Sequence, residues 1–482
     1  MRAFLFGTML LASAACAEPQ RWYAILAENG ALIGHASRET VTGPDTIRII
    51  DSQSIDLYDE GDKRPQAPWF SASKSTEATA RTVLTEDKTG DPIAISTESQ
   101  NGPEWREDWT RIEAKIAGDT ADITRTTPLE TRHFAVALPR QVRFDGGEGL
   151  LATLAPGQSI EFANFNAAAM AVERVVLEAR GETSGGMVAL RKRYDGSQLL
   201  AISKFVVGRE GAIVESVQPL FGASLTIKAT DKQTALAAHS PYHALPAAMT
   251  KSPYRISATA MRGHIRYRFA FKDGLEFALP QTSEQRVTAE PGAVTVDICA
   301  DCGPGLPTDA AALADARKPT AWMQSDARAL KDIAEPIARL PVSDSRKMEL
   351  LAQKVKTIMV RLDFTGHYSA LETIERRSGD CTEASVLLAA FGRAAGIPTR
   401  VANGLVYSRE AYHGVSNSFL PHSWTLAFAD GKWTSFDSAL DAFDSTHIAL
   451  TVGDGDARSL LASMQLAGLL QWQGFAEVRS PD

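Results

Sequence analysis

The sequence predicts a multidomain chain in which antiparallel β-rich domains precede an α+β domain, and three observations carry that expectation. Short alternating apolar runs, separated by Gly, Asn and Asp turns, fill the chain from Trp22 to about Ile227. Sustained helical spacing begins only after Asp309. One late helix, with Cys381 at its start, is followed by two strands joined by the tight turn Asp430-Gly431. With 482 residues and 44% apolar content, the chain has material for two or three cores. The net charge of −8 is spread without a basic run, which gives no support for nucleic-acid binding.

The N-terminus has the form of a secretory signal. Met1-Arg2 precedes an apolar stretch, Ala3 to Ala14, too short to span a bilayer. Ala15-Cys16-Ala17 fits ordinary cleavage, the preferred reading. Ser13-Ala14-Ala15-Cys16 is an imperfect lipoprotein box, which would make Cys16 a lipid anchor. Apart from these, no later segment is long and apolar enough for a membrane helix. Cysteine occurs only at 16, 299, 302 and 381. In an oxidising compartment Cys299 and Cys302 are then the obvious pair, and Cys381 is unpaired.

Residues 18–235 read as one large, twisted antiparallel sheet. It starts with the hairpin Trp22–Leu26 and Ala31–Gly34, with later turns at Gly118-Asp119, Asp195-Gly196 and Glu210-Gly211 and a short helix at Leu150–Leu154. No metal cluster, phosphate loop or acid pair stands out there, so a scaffold that presents substrate or binds a partner is the expectation. Thr230–Ser252 reads as a linker, and Pro241 argues against a helical metal pair of His239 and His243. A smaller β module over 236–305 contains Arg255–Thr259, His264–Phe271, Leu275–Leu279 and Val294–Ile298, with a turn at Lys272-Asp273-Gly274. It ends in Cys299-Ala300-Asp301-Cys302. A single CxxC lacks the four ligands of a closed zinc site, and Gly303-Pro304-Gly305 forbids the helix that thioredoxin-like chemistry needs. A short-loop disulfide is the favoured reading.

Residues 306–482 form the expected α+β domain. Asp309–Leu340 is helical in pattern, broken at Pro319 and Pro336, and Asp344–Arg361 repeats apolar residues at helical spacing. Leu371–Arg377 is a short helix, and after Pro398 the pattern turns to strands. The stretch Ser378–Pro398 organises the whole. Asp380 is placed as an N-cap, and Glu383 completes a capping box. Ala384, Leu387, Leu388, Phe391 and Ala395 make one buried face, and Gly396 and Pro398 end the helix. Cys381 therefore falls on the first turn, where unpaired N–H groups and the helix dipole favour a thiolate.

A cysteine nucleophile needs a base and a group to orient it. His422 lies on the strand that ends at Ala429, and Lys432–Asp437 returns after the turn. Pairing Ala429 with Lys432 places Phe428 opposite Trp433, Leu426 opposite Ser435 and Trp424 opposite Asp437. Asp437 is then the diagonal neighbour of His422 on one face of the sheet. His413 and His367 fit worse as bases, and His447 is the strongest candidate for a supporting role.

The set Gly379–Ala384, Arg393–Arg400, Gly404–Tyr407, His422-Ser423-Trp424 and Trp433–Asp437 resembles the bacterial transglutaminase-like superfamily over about Ser345 to Val452. Thr446-His447-Ile448 resembles the segment that follows the aspartate in such proteins. Ser438 departs from a position where proline is common. The resemblance implies a papain-like core with Cys381 as nucleophile, His422 as general base and acid, and Asp437 as orienting carboxylate. It implies a secreted or periplasmic cysteine enzyme that acts on amide bonds through a thioester. The expected reaction is hydrolysis of a peptide or isopeptide bond in a protein, peptide or cell-envelope component. The alternatives are glutamine transamidation, or an envelope scaffold with a vestigial site. No EF-hand loop is visible, and no cofactor or metal is expected.

Overall fold

The computed structural model describes residues 20–59, 74–101, 109–151, 153–209, 211–220, 223–243, 249–272, 275–362, 367–410, 415–440 and 442–478. The signal-like segment 1–17 with Cys16, Glu210 of one expected turn, Asp273 and Gly274 of another, and His413 lie outside them. The chain divides into two compact units, 2–247 and 248–482.

The first unit contains one sheet of fourteen described strands, with every pairing between neighbours antiparallel. Arg21–Leu26 lies at its centre, between Leu32–Thr42 and Ala223–Thr230. From there the chain meanders outward to Thr131–Ala137. It resumes at the opposite edge with Ser159–Asn166 and meanders back to the centre. Arg143, just past the first edge strand, pairs its backbone with Asn164 of the other edge, which covers that edge. The alternation has a plain physical reading. In Trp109–Ala117, Ile112 and Ala114 are buried between exposed Arg111, Glu113 and Lys115. The turn expected at Asp195-Gly196 sits one residue later, because Asp195 pairs with Gln198 and Gly196 takes the left-handed φ of +55° that the first turn position needs. The short helix spans Glu148–Leu151 instead of Leu150–Leu154. An apolar core of Leu84, Ile95, Ile112, Ile123, Phe144 and Phe165 fills part of the interior. Buried Arg38, Asp51, Glu148 and Arg191 fill another part with ion pairs.

In the second unit, the central sheet runs Thr250–Lys251, Ser418–Ala429, Thr399–Ser408, Ile448–Gly453, with Lys432–Phe436 paired to Ser418–Ala429. The helix Cys381–Ala394 packs on its two middle strands. The helices Arg328–Ala338, Asp344–Ile358 and Ala370–Arg376 pack on that helix in turn. Pro336 stands inside the first of these without breaking it. The proline falls in the last turn, where only one intrahelical bond is lost. Arg255–Thr259, expected as a strand, gives way to a helix at Ala258–Arg262, because the Ser257 hydroxyl caps Ala260 N–H. Leu275–Leu279 is irregular.

The strands expected over 236–305 do not close a core of their own. Ile265–Phe271, Ala293–Ile298 and Gln285–Glu290 join Leu470–Glu477 in a four-stranded sheet. Tyr267, Phe269, Val296 and Ile298 share one core with Leu405, Tyr407, Phe419 and Ile448 of the central sheet. A three-stranded apolar face needs such a cover. The helix Ala457–Leu469, capped by Asp456, leads into that last strand and has no counterpart among the sequence expectations.

Gly404 sits at the tightest point of the central sheet, opposite His422 on one side and Ala449 on the other. A Cβ there would lie 1.9 Å from the Ile448 carbonyl oxygen. Gly404→Ala is expected to force the strands apart and to lower stability by on the order of 1–3 kcal/mol, read as a lower urea midpoint.

Candidate active site

The cysteine helix begins as its sequence implies. Thr382 N–H donates to Asp380 Oδ1 at 2.7 Å, and Asp380 N–H donates to Glu383 Oε2 at 2.9 Å, which completes the capping box. Glu383 Oε1 also accepts from Tyr368 N–H at 3.1 Å. Gly379 is required here, since a Cβ would lie 2.5 Å from that of Glu383. Two side chains from the neighbouring strand and loop hold the helix in place. Thr425 Oγ1 donates to the Ser385 carbonyl at 2.9 Å, and Ser438 Oγ donates to the Ala384 carbonyl at 3.3 Å. Ser438, the departure from the commoner proline, thus makes a bond that proline cannot.

The ladder between the two following strands runs from Ala429↔Lys432 to Thr425↔Phe436, the register drawn from the turn residues. His422 and Asp437 come together at its end. His422 Nε2 lies 2.7 Å from Asp437 Oδ2, and both residues are buried. The same oxygen lies 3.0 Å from His447 Nε2. Oδ1 accepts from the backbone N–H groups of Ala439 at 2.8 Å and Leu440 at 2.9 Å. His447 in turn has Nδ1 3.2 Å from Asp444 Oδ1. Asp444 was not singled out in the sequence; its signal is the spacing Asp444-x-x-His447, which brings two side chains together on one turn.

The electrostatics follow from these contacts. Burial acts to raise the Asp437 carboxyl, but His422 and His447 outweigh it and hold the group well below the usual carboxylate range. Burial acts to lower His447, and its hydrogen bonds to Asp437 and Asp444 reverse that and raise it to about 9. His447 is therefore an imidazolium at neutral pH. Trp424 and Phe443 pack on its ring, with centroids 5.2 and 4.8 Å away, and shield the pair from water.

Cys381, partly exposed, is a free thiol. Burial of the sulfur and the Asp380 carboxylate push it well above the ordinary cysteine range, with Asp437 and Glu383 acting in the same direction. Only the Ser423 backbone N–H, next to His422, pulls it down. Burial and these charges act against the thiolate that the helix terminus is expected to favour.

Residues 331–438 match the transglutaminase-like superfamily. This stretch is a transglutaminase-like domain. Three solved structures are similar over parts of the chain. The periplasmic domain of TgpA from Pseudomonas aeruginosa, bound to ethylmercury, is 16% identical and covers 47% of this chain and 84% of its own, with a TM-score of 0.27. A Cytophaga hutchinsonii protein provisionally assigned as a cysteine protease is 15% identical and covers 45% and 86%, with a TM-score of 0.28. A β-barrel-like protein of a domain family of unknown function, DUF1849, from Brucella abortus is 15% identical and covers 45% and 98%, with a TM-score of 0.31. No curated protein matches the chain.

The transglutaminase-like stretch contains Cys381, His422 and Asp437, but several of their supports lie beyond it. His447 and Asp444 follow it. Glu284 and Gln285 precede it: Ser435 N–H donates to Glu284 Oε1 at 2.8 Å, and Gln285 exchanges hydrogen bonds of 2.8 and 2.9 Å with the Ala449 backbone. No local pattern in the sequence marks that pair, since it acts across about 150 residues of chain.

The ligand-type atoms of His422, Asp437 and His447 lie within 4.8 Å of one another. They are satisfied by their own hydrogen bonds, with a protonated His447 supplying the positive charge, so the cluster reads as a charge pair in place of a cation site. A folded-state value of about 9, above the ordinary 6.5, means that the His447 charge stabilises the fold fully below pH 6.5 and ceases to do so as pH rises through 9. The stabilisation is on the order of 3 kcal/mol when complete. The Tm difference between wild type and His447→Gln should be largest near pH 6 and shrink steadily towards pH 9.5.

Proposed function

We propose that this protein is an extracytoplasmic cysteine amidohydrolase that cleaves a peptide or isopeptide bond through a thioester on Cys381. The observation that carries the reading is the 2.7 Å bond between His422 Nε2 and Asp437 Oδ2, on a strand whose next residue, Ser423, offers its N–H to the thiol. Asp437 engages Nε2, which leaves Nδ1 as the nitrogen that serves the sulfur. Because burial and nearby carboxylates keep the thiol protonated at rest, its proton passes to His422 as the sulfur attacks the carbonyl. The backbone N–H of Cys381, at the helix start, is one donor to the oxyanion. His422 then protonates the departing amine, and water, activated by the same ring, releases the acid.

Export is part of the reading. The signal-like residues 1–17 and the disulfide between Cys299 and Cys302 support a secreted or periplasmic protein, with Cys16 as a lipid anchor if cleavage precedes it. The substrate class is a protein, peptide or cell-envelope component.

Two measurements test the proposal. Alkylation of Cys381 at neutral pH should slow by about 10²–10⁴-fold in His422→Ala. In that variant the rate should recover only at pH values above the ordinary cysteine range. Peptide libraries and cell-wall fragments incubated with wild type should show a mass gain of one water at a cleaved amide, absent with Cys381→Ala. An amine adduct in its place would identify transamidation, and His-independent, sluggish alkylation with no product would leave a scaffold.

A further inference from the structure

The Cys299–Cys302 disulfide has a third partner that a merely structural cross-link does not need. Ile265 pairs with Ile298, so His264 is the next residue outward beside Cys299. One ring nitrogen of His264 and the two sulfur atoms lie within 4.8 Å of one another. The ring is held from behind: His264 Nε2 is 2.7 Å from Asp297 Oδ1, and Arg266 grips the same carboxylate through bonds of 2.8 and 3.2 Å. A carboxylate that orients an imidazole in this way is a recurrent support for metal-ligating histidines. His264 and Cys299 are both partly exposed, which leaves an approach from solvent.

The loop is also held independently of the S–S bond. Cys299 N–H donates to the Glu284 carbonyl at 3.1 Å, and Gly303 N–H donates to the Ser283 carbonyl at 2.8 Å. A Cβ at Gly303 would lie 2.1 Å from the Thr282 carbonyl oxygen, so the backbone is seated tightly. None of these backbone restraints runs through the S–S bond.

We propose that Cys299, Cys302 and His264 form a redox-gated site for a thiophilic d10 cation, Zn²⁺ or Cu⁺, which assembles when the disulfide is reduced. A dithiol reductant supplies two electrons and two protons and leaves as its own disulfide, and Cys299 and Cys302 become thiols. The cation then displaces one proton from each sulfur and takes a nitrogen lone pair of His264. A Cys₂His set leaves the fourth tetrahedral position to water or another small ligand. In the oxidised protein the sulfur atoms are bonded to each other and the site is closed to the cation. The sequence alone did not indicate this, because the third ligand stands on a neighbouring strand far from the CxxC.

The test uses the full chain with Cys16→Ser and Cys381→Ser, which removes both competing thiols. The protein is reduced anaerobically with a phosphine and titrated with Co²⁺. The expected result is the thiolate charge-transfer and tetrahedral d–d absorption of Co²⁺ at one equivalent, absent from the oxidised protein and abolished by added Zn²⁺. Cys302→Ser should remove the bands. His264→Gln and Asp297→Asn should each weaken binding by about 10–100-fold. Equal binding by oxidised and reduced protein, or affinity unchanged in His264→Gln, overturns the proposal. A reduced protein that loses its far-ultraviolet dichroism and gains no Co²⁺ bands overturns it as well.

Discussion

One carboxylate oxygen shared by two imidazoles governs the arrangement of the second unit. Asp437 Oδ2 meets both His422 and His447, while Oδ1 is satisfied by two backbone N–H groups. A buried carboxylate is costly unless it is both paired and fully hydrogen-bonded, and here it is both. The division of labour between the rings matters most. His447, raised to about 9, supplies the positive charge that Asp437 requires. His422 shares that carboxylate without being the sole group that balances its charge.

The rest of the architecture serves to bring a helix start and a strand to this oxygen. The capping box fixes where the helix begins, and Thr425 and Ser438 fix how it lies against the sheet. The cap carries a chemical consequence. Asp380 and Glu383 stabilise the helix end but raise the Cys381 thiol, so the group that orders the first turn also keeps the sulfur protonated. The bonds that stabilise the helix end and the dipole that would favour a thiolate there pull in opposite directions.

What could be read from the sequence was what short-range rules govern. The capping box spans four residues, and the hairpin register follows from a two-residue turn, so both were legible, and with them the approach of His422 to Asp437. Alternation along Trp109–Ala117 and its neighbours likewise marked the antiparallel sheet. Contacts between distant segments were not legible. Glu284 and Gln285 carry ordinary strand-edge side chains, and nothing near them in sequence indicates the backbone groups they satisfy. Arg38 and Glu148 occupy inward-facing positions in the first unit, where a pattern reading expects apolar residues, and they are tolerated only because they find each other and Arg191. The strand Leu470–Glu477 was missed because its role is to complete a sheet begun 200 residues earlier.

The bonds from Glu284 to Ser435 and from Gln285 to Ala449 separate two boundaries that are easily confused. The recognisable domain covers 331–438, yet its last strand leans on an acid that precedes it, and its aspartate on a histidine that follows it. Excised at those limits, the fragment would lose the Ile448–Gly453 strand beside Gly404 and leave that edge of Thr399–Ser408 unpaired. The compact unit that holds all of these groups spans 248–482. Inheritance of the chemical motif and inheritance of a self-sufficient body are, in this chain, two different lengths of polypeptide.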